Sequence, residues 1–87
     1  MPVVLLPALL AREAGGRGRF ELEAATLAEA LRALPVCDLC LDERGELRRL
    51  VNVYVDGQDV RGGDGIATQL RPESQVLVVT AIAGGHS

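Results

Sequence analysis

An α+β domain, a single mixed sheet with one main helix packed across it, is what this sequence predicts. Three observations lead there. Val3–Leu6 and Leu50–Val55 are short runs rich in β-branched residues, and Arg19–Glu23 alternates polar and apolar residues with the period of a strand. Leu27, Leu31 and Leu34 recur at i, i+4 and i+7, which is one face of a helix. Val76–Ile82 is apolar on both of its faces, as a covered central strand is.

The chain has 87 residues, enough for one small domain with a thin core. Apolar residues make up 48% and charged residues 24%, a globular balance that excludes a wholly disordered tail. The longest nearly apolar run, Pro2 to Ala11, is about half of what a membrane span needs and lacks the basic flank of a signal peptide. The chain therefore reads as soluble and cytoplasmic. All nine basic residues are arginines, against twelve carboxylates, and the only aromatics are Phe20 and Tyr54. That pattern offers nucleic acid neither a basic stripe nor a stacking platform.

Element by element, Val3–Leu6 forms the first strand and is stopped by Pro7. Ala8–Ala14 makes a helical turn ended by Gly15-Gly16. The second strand turns Phe20 and Leu22 inward and completes a loose hairpin with the first. Thr26 and Glu29 are spaced as a capping box ahead of the main helix, which Pro35 closes. Val36–Leu41 adds a further helical turn, and Asp42–Glu46 is a charged loop. Asp56-Gly57 follows the third strand and signals a two-residue hairpin, with Gln58–Arg61 as the return strand. Gly62–Gly65 reads as a turn; it lacks the Lys-Ser/Thr of a phosphate loop. The first and last strands, the most apolar, should pair near the middle. This order is that of a β-grasp, or ubiquitin-like, fold over residues 1–82, with 83–87 as a flexible tail. The expected core includes Val4, Leu6, Leu27, Leu31, Val53, Val78 and Val79.

Catalytic chemistry has little to work with. The one histidine, His86, is remote from any paired nucleophile, and so small a domain leaves little room for a ligand pocket. Cys37 and Cys40 form a C-x-x-C that supplies only half of a zinc site, and apolar neighbours favour two small buried thiols over a redox pair or a metal site. The reading is a carrier or interaction module, with no catalytic residues, no metal and no bound cofactor. The distinctive feature is Ala83-Gly84-Gly85 after the last strand. Composition leaves two readings open: a plain glycine tail, or an end without side chains that threads a narrow channel.

The segment Leu47–Arg61, then Asp64–Thr68 and the terminal Ala83-Gly84-Gly85, resembles the ubiquitin-like sulfur carriers of the MoaD/ThiS family. The order matches over nearly the whole chain, and the likeness is strongest to the actinobacterial cysteine-pathway type. The resemblance implies that Gly85 is the site of thiocarboxylate attachment and that Ala83, Gly84 and Gly85 thread into a partner. An E1-like adenylyltransferase and sulfurtransferase would use ATP to activate Gly85, and a biosynthetic enzyme would accept the sulfur for cysteine, a cofactor or a sulfur-containing metabolite. His86 and Ser87 follow the diglycine, unlike the family's reactive end; a JAMM-type metallopeptidase would remove them, unless they are foreign to the native terminus. Two other functions compete: a ubiquitin-like protein-binding module, and a permanent enzyme subunit that carries no sulfur.

Overall fold

Valines 51, 53 and 55 on one strand and 76 and 78 on another meet across an antiparallel ladder, and the rest of the fold is built on that seam. The computed structural model describes residues 1–80. In chain order the elements are β1 (Val3–Leu5), α1 (Ala8–Glu13), β2 (Arg19–Glu21), α2 (Leu27–Arg32), α3 (Cys37–Cys40), β3 (Val51–Val55), β4 (Gln58–Asp59) and β5 (Gln75–Thr80). The sheet order is β2-β1-β5-β3-β4. β1 and β5 are parallel, with Val4 opposite Val76, and every other pairing is antiparallel. The mixed sheet and the central pairing of first and last strands are as the sequence predicts.

Local chemistry sets the ends of the elements. Thr26 Oγ1 accepts the Glu29 N–H at 3.3 Å, while the Glu29 carboxylate accepts the Ala25 N–H at 2.9 Å. The capping box therefore forms, with its acidic arm one residue earlier than the simplest version. Leu27, Ala30 and Leu31 are fully buried beneath the helix, and Leu34 closes the same face. Asp56 (φ 51°) and Gly57 (φ 86°) both adopt the left-handed conformation that joins β3 to β4 tightly. The Asp56 carboxylate also accepts the Gln75 N–H at 3.0 Å, which fixes the start of β5.

Three expectations need correction. The return strand stops at Asp59, because its carboxylate accepts the Arg61 N–H at 2.8 Å and turns the chain into a 3-10 turn at Val60–Gly62. Val60 then enters the core instead of continuing a ladder. Val79, expected in the core, is 38% exposed, and Leu77 is 43% exposed. Helices cover only one face of the sheet, so alternate side chains of β5 stand on an open face. Finally, of the two thiols only Cys40 is buried; Cys37 is half-exposed. The remaining core expectations, Val4, Leu6, Leu27, Leu31, Val53 and Val78, are all met. The proposed boundary at residue 82 lies outside the described residues.

Candidate functional site at the end of the central strand

β5 is gripped on both sides, by β1 along Gln75–Leu77 and by β3 along Val76–Thr80. β1 ends first, because Pro7 interrupts it and turns the chain into α1. The last residues of β5 therefore lie against β3 with α1 nearby. Thr80, opposite Val51, is the last described residue. Ala83, Gly84, Gly85, His86 and Ser87, the residues singled out in the sequence, lie outside the described residues.

Around Thr80 the two short helices leave a groove of about 630 Å³, larger than so small a domain was expected to offer. Leu10 and Val51 form its buried base, and Leu9, Leu39 and Leu50 stand around it partly exposed. Glu13, Asp38, Arg48 and Arg49 bring charges of both signs to its lining. One wall is held by arginine chemistry. Arg48 Nε donates to the Asp38 carbonyl at 2.7 Å, and Arg61 Nη2 donates to the carbonyls of Arg48 (2.7 Å) and Val51 (2.6 Å). A guanidinium is suited to this, since its donors are fixed in a plane and always charged. The groove is drawn from α1, α3, the turn before β3 and the end of β5. No local motif announces it.

On the opposite face, Leu77 and Val79 stand beside the half-buried Tyr54 of β3 and Leu5 of β1. This apolar strip is the second feature that a reading of β5 as covered on both sides misses. The available signal is arithmetic: one main helix and two single turns cannot cover two faces of a five-stranded sheet.

The thiols are poor nucleophiles. Burial, and then the Asp38 carboxylate beside it, push the Cys37 thiol up from its ordinary value. Burial, and then its neighbour Cys37, push Cys40 up to about 11. Both are protonated at neutral pH, and the thiolate is the reactive form. Among the described residues no group of three or more His, Cys, Asp or Glu side chains is placed to hold a metal ion. No helix among them is long and apolar enough to cross a membrane.

The ThiS family model matches residues 4–85. The sulfur carrier protein CysO of Mycobacterium tuberculosis is 32% identical over 89 aligned positions, which span 94% of this chain and 96% of that protein. The crystal structure of Mycobacterium tuberculosis CysO superposes with a TM-score of 0.84 at 26% identity, covering 92% of this chain and 98% of the other. A chain of the Amycolatopsis orientalis BexX/CysO complex superposes with a TM-score of 0.83 at 27% identity, covering 98% of this chain and all of its own length.

Proposed function

The chain belongs to the ThiS family, and from that membership we propose that it carries sulfur as a thiocarboxylate on Gly85. It is a sulfur carrier protein of the ThiS/CysO type. The observation that supports Gly85 as the site is the family match itself, which extends to residue 85 and so takes in the diglycine.

The chemistry proceeds in three steps. In the full chain the Gly85 carbonyl is part of an amide to His86, so hydrolysis of that bond by a metallopeptidase must first free the carboxylate and release His86-Ser87. An E1-like partner then lets a Gly85 carboxylate oxygen attack the α-phosphorus of ATP, expelling pyrophosphate. The acyl adenylate has AMP as its leaving group, whereas a bare carboxylate has none that sulfur can displace. Attack by a sulfide-level donor expels AMP and leaves the thiocarboxylate, whose sulfur passes to a biosynthetic acceptor enzyme. ATP binds to the partner; this chain acts as a co-substrate.

What the described residues contribute is presentation. β5 is held at the centre of the sheet, which gives the chain after Thr80 a fixed point of departure. Glycines at 84 and 85 leave no Cβ to clash with a narrow channel. Leu77 and Val79 give a partner an apolar strip on which to dock, on the same strand that leads to the reactive end. The Amycolatopsis orientalis neighbour comes from a complex of BexX with CysO, which supports a docking partner for this chain too.

The open strip would equally serve a docking module that carries no sulfur, and one experiment separates the two. The 87-residue chain and a chain ending at Gly85 are each given the same activating enzyme, ATP and sulfide, and intact mass is measured. Only the shorter chain is expected to gain the mass of one oxygen-to-sulfur exchange. Equal loading of both without proteolysis overturns the requirement for trimming, and loading of neither overturns the carrier chemistry.

A further inference from the structure

The groove beside Thr80 has two unlike walls. One is α1, where Leu9 and Glu13 stand four residues apart and so share a face. The other is α3 with the turn before β3, which contributes Leu39, Arg49 and Leu50. Leu9, Leu39 and Leu50 are 42%, 42% and 55% exposed, so large aliphatic side chains meet water on both walls. The charges are divided in the same way. Glu13 is exposed on the α1 wall and Arg49 on the other, and neither forms an ion pair among the described residues. Arg48 and Asp38 also line the second wall, but both are engaged there. Arg48 Nε donates to the Asp38 carbonyl, and the Asp38 carboxylate accepts the Cys37 thiol at 3.6 Å. An anion beside one exposed leucine thus stands on one wall, and a cation beside another stands on the second.

We propose that this groove is the contact between two copies of this chain, related by a two-fold axis, with α1 of each laid against the Arg49-Leu50 turn of the other. A two-fold contact uses one surface twice, so that surface must be complementary to itself. The two walls meet this condition. Glu13 meets the partner's Arg49 while Arg49 meets the partner's Glu13, and Leu9 covers the partner's Leu50 from water. Charge complementarity of this kind favours a second copy over other occupants. A small apolar ligand would leave both charges unused, and a partner surface of one sign would be repelled by one wall. The contact is small, so it belongs with weak, reversible interfaces. It is independent of sulfur chemistry and stands or falls whether or not Gly85 is loaded.

Analytical ultracentrifugation of the full 87-residue chain tests this, with no activating enzyme and no ATP present. Between about 1 μM and about 1 mM, the range of weak association, the apparent mass should rise from 9.2 kDa toward twice that value. Arg49→Glu and Glu13→Arg should each weaken association by about tenfold or more, because like charges then face each other. An equimolar mixture of the two variants should regain it, since every facing pair is again opposite in sign. Both positions are exposed, and unchanged urea midpoints certify the fold of each variant. Leu77→Ser, on the opposite face, should associate as the parent does. A parent chain that stays at 9.2 kDa throughout overturns the proposal. So does association that ignores both charge reversals, a mixture of folded variants no stronger than its components, or loss of association in Leu77→Ser.

Discussion

Cys40 is fully buried, and its thiol is pushed up to about 11 by that burial. A value raised above the ordinary 9.0 means that the folded state favours the neutral thiol. The associated stability is fully present below pH 9, and it is lost as pH rises from 9 toward 11, because the unfolded chain releases this proton first. The loss is at most about 3 kcal/mol, what two pKa units are worth. Urea unfolding at a series of alkaline pH values should show the decline in the parent chain and a flatter profile in Cys40→Ala. A parallel slope in both would place the effect elsewhere. The same protonation argues that neither thiol relays sulfur. A Cys37→Ser/Cys40→Ser variant ending at Gly85 should still gain one oxygen-to-sulfur exchange in its folded fraction, as intact mass reads it.

Among the elements, β5 shows how two neighbouring valines can have different purposes. Val78 is 1% exposed and packs beneath the helices, whereas Val79 stands 38% exposed on the open face. Val78→Ala should cost on the order of 2 kcal/mol, since it removes buried methyls and leaves a cavity. Val79→Ala should stay within about 0.5 kcal/mol of the parent in denaturant unfolding, yet weaken binding to the activating enzyme in a titration. Equal destabilisation by both would mean that the open face is covered in solution. This element also marks the limit of what the chain discloses before folding. Capping at Thr26, the stop at Pro35 and the Asp56-Gly57 hairpin are legible because their causes lie within a few residues. An all-apolar run such as 76–80 states only that the strand is apolar. Whether its second face is covered depends on how many helices the rest of the chain can spare. The return strand is ambiguous in the sequence for a smaller reason: nothing in Gln58–Arg61 distinguishes Asp59 as a ladder residue from Asp59 as a cap. The groove was illegible altogether, because its residues come from four separated stretches of sequence.

At the scale of the molecule, the governing fact is that β1 and β5 are adjacent although nearly the whole described chain lies between them. Without β5 the sheet order falls into two separate hairpin-like pairs, β2-β1 and β3-β4, and the buried Val4 and Val53 lose the strand between them. Isolated two-stranded ribbons are marginal in water at best. Ribosome-bound nascent chains lacking residues 75–80 should therefore be degraded by added protease, and chains in which Thr80 has cleared the exit tunnel should resist it. Resistance in the shorter chains would show that the pairs are stable on their own. Long-range pairing of this kind also slows folding, because the intervening chain must be ordered before the contact forms. One consequence follows for the cell. A polypeptide cut short by a stalled ribosome or a stray protease, and so missing its central strand, is also one that has lost the segment leading to Gly85. Under the carrier function proposed above, such a fragment cannot persist as a well-folded competitor that occupies the activating enzyme with nothing to deliver. Completion of the sheet thus serves as a length inspection, passed only by molecules long enough to include the central strand.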